Sequence, residues 1–327
     1  MAERTVKAHR RSPFMATLLI THPCFVKHDT GPGHPERPDR MRAIDKILAH
    51  DVFRDLVREE APLREDVEAH IERVHSAAYF AKIRSAVEHV DHLAYLDGDT
   101  VVSPGSWEAA LRAVGAGLSA VDAVMGGRAA NAFCQVRPPG HHAESNVAMG
   151  FCLFSNAAIA AHYARARHGA ERVAVVDFDV HHGNGTQQIF WSDRDLFYGS
   201  THEMPLLPGT GALGETGVGN VWNAPLRAGD GGERFREAFE SRILPALHNF
   251  GPDILLISAG FDAHQADPLA NLRLVEADFM WATEQLAAMA KQHAGGRIVS
   301  MLEGGYDLTA LAKSVAVHVK TLTDVGV

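Results

Sequence analysis

Four short stretches carry the residues whose types and spacing could do chemistry. They are the segments Arg137 to Ala143 (RPPGHHA), Asp177 to Gly185 (DFDVHHGNG), Gly260 to Pro268 (GFDAHQADP) and Glu303 to Tyr306 (EGGY). Asp179 and His181 stand two residues apart. Alternate residues at a strand end point the same way, so a carboxylate and an imidazole would share one face. A third donor from a neighbouring strand would complete the three-ligand set with an open position that holds catalytic zinc, and Asp262 is the candidate. Two carboxylates and one imidazole also suit Fe(II) or Mn(II). A lone Asp-x-His is more often a pair of satisfied polar groups in a turn; the four stretches together argue for a metal hydrolase. Adjacent His141 and His142 could be ligands, bases or solvent-facing groups. A metal hydrolase needs a general base for its water, and histidine is the usual choice near neutral pH. His182 reads as structural, because His181 takes the ligand face. Tyr306 follows two glycines that permit a tight turn. Its phenol could donate to an oxyanion or simply pack at the start of a helix.

Each stretch needs an element to position it, and each follows an apolar run. Residues 16–21, 132–136, 172–178, 253–259 and 297–302 read as strands, and their continuous apolar character suits burial on both faces of a parallel sheet. Between them the pattern changes to helical spacing. Ser103 and Pro104 look like an N-cap and first helical position, followed by Trp107, Leu111, Val114, Leu118, Val121 and Met125, with Gly126 and Gly127 as the stop. Ser155 or Asn156 opens a second helix that closes at Gly169. Residues 233–250 and 276–293 are two more. Alternating strands and helices imply one parallel α/β sheet with helices on both faces, and in such sheets ligands bind beyond the C-terminal strand ends.

Composition bounds the rest. The chain has 327 residues, 46% of them apolar and 22% charged, with a formal charge of −9 and twenty histidines. A disordered chain or a disulfide-dense scaffold is excluded, and a dedicated nucleic-acid binder, which would show a basic face, is disfavoured. Cys24, Cys134 and Cys152 form no CxxC, which points to a reducing cytoplasm. No apolar run reaches the ~18 residues of a membrane span, so no membrane partner is expected. Residues 1–15 read as a flexible N-terminal tail, with Met15 an alternative start, and residues 16–327 as one catalytic domain. A homo-oligomer is compatible with all of this.

The motifs, in their order, resemble the histone deacetylase superfamily, which includes acetylpolyamine amidohydrolases and bacterial histone-deacetylase-like amidohydrolases. The resemblance runs from about Thr21 (THPCFVKHDTGPGHPERPDRM) through RPPGHHA, DFDVHHGNGT, PGTG and SAGFDAHQADPL to EGGYDL near Leu308. It implies the arginase/deacetylase α/β fold, a single domain with a central parallel sheet of about eight strands. By motif, Asp179, His181 and Asp262 match zinc ligands and His142 matches the general base. His141 matches its electrostatic partner, Asp177 the buried acid behind His141, and Tyr306 the transition-state tyrosine. Asp177, Ser200 and Thr201 match members of an inner, structural potassium site. Gly150 and Phe151 match the wall of an acyl-lysine tunnel, and Asp99 aligns with an acid at its rim.

Three positions refine the resemblance. Asn184 stands where class I enzymes carry a second Asp, so HHGNG is the class II form. Leu269 stands where polyamine-selective members carry a Glu that attracts a cationic amine. Leu207 replaces an aromatic tunnel wall found in many relatives, which implies a wider tunnel. The expected activity is removal of an acetyl or other acyl group from lysine or a similar amine. The alternatives are an acetylpolyamine amidohydrolase, an arginase-like dimanganese ureohydrolase and a non-catalytic acyl-lysine binder. The ureohydrolase would need more carboxylates; Ala263-His264 follows Asp262, so an Asp-x-Asp bridge is absent, although His264 could still bind a metal. The binder would be expected to have lost a ligand, the base or the tyrosine.

Overall fold

The computed structural model describes residues 16–326, so the expected N-terminal tail, residues 1–15, lies outside the described residues. Among the described residues ten strands occur in chain order: β1 (Thr17–Thr21), β2 (Val57–Glu60), β3 (Ala94–Tyr95), β4 (Val101–Val102), β5 (Asn131–Cys134), β6 (Val173–Asp177), β7 (Leu196–Glu203), β8 (Val221–Leu226), β9 (Ile254–Ala259) and β10 (Ile298–Leu302). Eight form one sheet in the order β2-β1-β5-β10-β9-β6-β7-β8, and every pairing in it is parallel. β3 and β4 form a small antiparallel pair. Residues of β5, β6, β9 and β10 are all buried, as their unbroken apolar runs require. Two groups of packed helices flank the sheet. One holds Ser106–Met125 and Asn156–His168; the other holds Asp39–Leu48, Glu276–His293 and Leu308–Val325.

The strand order does the positioning. β5, β10, β9 and β6 lie side by side although the chain visits them far apart. Their registers bring Met301 level with Cys134, Leu302 with Ala259, and Asp177 with Ser258. The four chemistry-bearing loops therefore leave one edge of the sheet at neighbouring points, where open α/β sheets bind ligands.

Two local expectations are corrected. The long helix begins at Ser106 rather than at Pro104: Ser106 Oγ accepts the Ser103 N–H at 2.8 Å, and Gly105 occupies the cap position. A Cβ on Gly105 would lie 2.2 Å from the Lys27 carbonyl oxygen, so this turn is set by a close backbone approach. The expected 233–250 helix is interrupted at Phe239–Ile243 by a π-turn. Pro245, which lacks an N–H, follows it, and the wider turn accommodates the missing donor.

Candidate active site

β6 ends at Asp177, so Asp179 and His181 lie in the loop beyond it. Their common facing, expected from strand alternation, comes instead from a side-chain turn in which Asp179 Oδ1 accepts the His181 N–H at 2.8 Å. The loop after β9 brings Asp262 to them. His181 Nδ1 lies 3.2 Å from both Asp179 Oδ1 and Asp262 Oδ2. Donor atoms of the three residues lie within 4.8 Å of one another. Main-chain donors fix both carboxylates: Gly304 N–H to Asp179 Oδ2 and Val180 N–H to Asp262 Oδ1, each at 2.8 Å. Glycine is required around them, because a Cβ on Gly260 would lie 2.0 Å from Asp179 Oδ2 and one on Gly304 2.1 Å from Asp262 Oδ2.

Two carboxylates, each 1% exposed, converge with no Lys or Arg among the described residues bonded to either. That arrangement calls for a cation. Burial works to keep His181 neutral, but the two aspartates outweigh it and hold its pKa up at about 10. Hard oxygens with one borderline nitrogen, and a side open to a cavity, fit a divalent ion such as zinc. His264 does not join them: its Nδ1 accepts the Ala266 N–H at 3.1 Å and its Nε2 faces Glu276 at 3.5 Å. A second grouping, His22, Cys24 and Glu108, is less suited to a cation, because Arg112 already bonds Glu108 at 2.8 Å.

The two adjacent histidines have different supports. His141 Nδ1 meets Asp177 Oδ2 at 2.9 Å, and Tyr198 donates to the same oxygen at 3.0 Å. Burial opposes a charge on His141, yet Asp177, Asp179 and Glu303 together hold its pKa well above the ordinary value. His142 Nδ1 meets the Asn184 carbonyl oxygen at 2.8 Å. Burial, then His141 and His181, push its pKa well below the ordinary value, so it stays neutral. The site thus sets a histidine held toward its charged form beside one held toward its neutral form, with ring centroids 4.0 Å apart. Both nitrogens of His182 are taken, by Thr210 at 2.7 Å and Gln187 at 3.0 Å, as a structural role requires.

The loop after β10 carries Tyr306. Gly305, at φ 124°, makes the turn. Asp267 Oδ2 accepts the Tyr306 N–H at 2.7 Å while its other oxygen accepts the Leu269 N–H at 3.0 Å. Burial pushes the phenol well above its ordinary pKa, which keeps it a neutral donor. His142, His181 and Tyr306 all line one cavity of about 690 Å³. Gly150, Phe151, Leu207, Leu269 and Asp99 line it too, so the structure brings every expected tunnel residue to the same space. Phe151 takes a left-handed φ of 69°, packing edge-on against His34 at 4.8 Å and Tyr306 at 5.8 Å. Leu207 is 76% exposed, at the mouth.

Ser200 and Thr201 sit on β7 beside Asp177, with Asp177 and Ser200 in register. Ser200 Oγ bonds His202 Nδ1 at 2.9 Å, while Thr201 Oγ1 is buried with no partner among the described residues. A buried hydroxyl left unpaired on the strand that pairs with Asp177 is a group that an alkali cation, which takes oxygen donors, would satisfy.

Several supporting residues escaped the sequence reading. Glu303, 1% exposed, accepts the Gly140 N–H at 2.7 Å, the His141 N–H at 3.1 Å and the Ser258 hydroxyl at 3.0 Å. Arg40 donates to the Gly305 carbonyl at 2.7 Å and places its guanidinium 5.1 Å from the Tyr306 ring centre. Glu36 holds Arg40 and Arg137 together, and all three are fully buried. Glu144 bonds Asn184 at 2.7 Å. The available signal was the charge itself: Glu36 and Arg40 lie in GHPERPDR, a segment quoted above without roles.

Comparisons with known proteins fit this geometry. A histone deacetylase domain matches residues 34–322. An uncharacterized protein of Synechocystis sp. is 44% identical over 301 residues, covering 91% of this chain and 96% of that one. A histone deacetylase-like amidohydrolase of Pseudomonas aeruginosa is 38% identical over 304 residues, covering 91% and 78%. A crystal structure of the HDA15 HD domain superposes with a TM-score of 0.88 at 35% identity, covering 94% of this chain and 88% of that one. The eight-stranded sheet is thus the arginase/deacetylase fold expected from the motifs, and the chain belongs to the histone deacetylase family.

Proposed function

We propose that this chain is a zinc-dependent amidohydrolase that removes acetyl or other acyl groups from lysine or a similar amine. The observation that carries this is the grouping of Asp179, His181 and Asp262, whose His181 lines one cavity together with His142 and Tyr306. Zinc held by Asp179, His181 and Asp262 would supply Lewis acidity, polarising the amide carbonyl and lowering the pKa of a water. His142 takes the proton of the attacking water. The Tyr306 hydroxyl donates to the carbonyl oxygen as negative charge develops there. His141, kept cationic by Asp177, stabilises the same charge. The proton then passes from His142 to the leaving amine, and a carboxylic acid and a free amine depart. Gly150 and Phe151 wall the acyl-bearing side chain, Leu207 and Leu269 border the mouth, and Asp99 meets the substrate there. Potassium near Asp177, Ser200 and Thr201 would stiffen the loop behind His141.

Residues 16–327 act as one catalytic domain in this proposal. Cys24, Cys134 and Cys152 are all free and buried, which supports a reducing compartment such as the cytoplasm. Among the described residues no helix is long and apolar enough to cross a membrane. The second reading is polyamine hydrolysis, because Asp97 and Asp99 line the mouth and, among the described residues, no Lys or Arg does. Against it, Leu269 offers no charge to a cationic amine.

The test is acetate release from zinc-loaded protein given an acetyl-lysine peptide and an acetylated polyamine side by side. The peptide is expected to turn over faster, with His142→Ala and Tyr306→Phe each slowing kcat at least ~100-fold while staying folded. Polyamine preference would keep the mechanism and change the substrate. No turnover of either or of longer acyl-lysine peptides, or normal turnover in the variants, would overturn the proposal.

A further inference from the structure

We infer that Glu144 is a positioning residue that selects the tautomer of His142, acting through Asn184. The inference deepens the proposed base role of His142, but the tautomer can be measured apart from activity.

An amide behind the base creates a difficulty that a carboxylate would not. Asp177 accepts from His141 whichever way its symmetric carboxylate turns. Asn184 has an acceptor end and a donor end, and only one of them suits a base. If its oxygen faces His142 Nδ1, that nitrogen carries the hydrogen, and in the neutral ring Nε2 is left with a lone pair. If its NH₂ faces Nδ1, the hydrogen sits on Nε2, which then cannot accept a proton.

Glu144 decides between the two. Asn184 is 4% exposed. Its Nδ2 lies 2.7 Å from Glu144 Oε1 and 3.3 Å from the Met149 sulfur. Its Oδ1 lies 2.8 Å from His142 Nδ1. A carboxylate only accepts, so a reversed amide would set two oxygens against each other at Glu144 and forfeit the hydrogen bond there. The Met149 thioether is a weak acceptor and does not set the direction by itself. Glu144 is held in turn, its own N–H bonded to the Val147 carbonyl at 3.0 Å and the next N–H, of Ser145, bonded to Gln188 Oε1 at 3.1 Å. His142 Nε2 has no hydrogen-bond partner among the described residues, and His142 lines the cavity. The order Glu144–Asn184–His142 therefore points a lone pair at the place where a water would be deprotonated.

Three variants test this. Lysine only donates, so Glu144→Lys should turn the Asn184 amide over and put the hydrogen on Nε2. Glu144→Ala should leave both tautomers populated. Glu144→Gln keeps an acceptor and should restore the original form. The readout is the two-bond ¹H–¹⁵N spectrum of histidine-labelled, zinc-loaded protein, with His142 assigned by comparison with His142→Ala. The expected result is Nδ1–H in the parent and in Glu144→Gln, a mixture in Glu144→Ala, and Nε2–H in Glu144→Lys. In the last, kcat should fall by roughly 10²–10⁴-fold, the range of general-base catalysis, with KM little changed. An Nε2–H parent, or an unaltered tautomer in both Glu144→Lys and Glu144→Ala, would overturn the inference. Tautomer inversion with kcat unchanged would support the Glu144 role and overturn the base role of His142 instead.

Discussion

Gly304→Ala is the smallest change that strikes the Asp179–Asp262 pair. The glycine is not in a left-handed conformation, so alanine costs the backbone nothing there. Its Cβ, however, would lie 2.1 Å from Asp262 Oδ2 and 2.7 Å from Asp179 Oδ2, where ordinary contact begins at 3.4 Å. The Asp262 oxygen must therefore retreat by about 1.3 Å, the difference between ordinary contact and the Cβ position. Asp262 cannot swing away freely, since its other oxygen holds the Val180 N–H at 2.8 Å. Ligand distances in metal sites tolerate only about ±0.2 Å, so the retreat exceeds the tolerance several-fold. Outer-shell changes typically weaken metal binding by about 10–100-fold, and a displaced ligand should cost at least that, or roughly 1.4–2.7 kcal/mol. The assay is zinc competition with a chromophoric chelator, with circular dichroism of the metal-free protein to confirm folding. Gly214→Ala is the control, because a Cβ there meets nothing within 4 Å and the backbone is ordinary. Parent-like zinc affinity in Gly304→Ala would refute the assignment of these aspartates as ligands.

Asp267→Asn leaves one acceptor oxygen where two now serve Tyr306 and Leu269. Leaving one of these N–H groups unpaired, about 1–3 kcal/mol, should lower kcat roughly tenfold with little change in KM, and the loss should not add to that of Tyr306→Phe in a double-mutant cycle. Acid should unfold the protein early. His28 and His318 are buried, and burial lowers each to a pKa of about 3, with Arg137 adding to the effect at His28. Their protons bind the unfolded chain first, so their stabilisation is complete above pH ~6.5 and is lost as pH falls toward ~3. Each contributes a slope of ~1.4 kcal/mol per pH unit, and His318→Gln should flatten urea-derived stability between pH 4 and 6 by that amount; an unchanged slope would contradict it. Leu207→Phe should narrow the mouth and cut kcat/KM for longer acyl chains by about tenfold relative to acetyl, read on a series of acyl-lysine peptides.

What the sequence made legible was set by what each residue touches. β6, β9 and β10 stand out because they are buried on both faces and contain almost nothing but apolar residues, and their loops stand out because His, Asp and Tyr follow such runs directly. β7 is equally buried, yet reads LFYGSTHE. Two of its polar side chains find partners outside the strand, His202 at Gly211 O and Glu203 at Asn271, which no local pattern reveals. β2 reads VREE because it is an edge strand with exposed side chains. The order that places β10 and β9 between β5 and β6 is likewise invisible locally, and without it four motifs remain four loops. The same limit hid the supporting carboxylates. Glu144 and Glu303 look like any other Glu until the amide or main chain opposite them is known. Strand alternation predicts the pairing of Asp179 with His181 for the wrong local reason; both lie beyond β6, and the loop turn delivers the same neighbours.

The most direct test of the central claim is a metal titration of turnover. Chelator-stripped protein receives zinc in substoichiometric steps, and acetate release from an acetyl-lysine peptide is followed at each step. Activity should be absent without metal, rise linearly and break at one zinc per chain, and the Asp179→Ala and Asp262→Ala variants should stay inactive at that ratio. Turnover without metal, or a break at two metals per chain with manganese preferred, would contradict a single ion held by Asp179, His181 and Asp262.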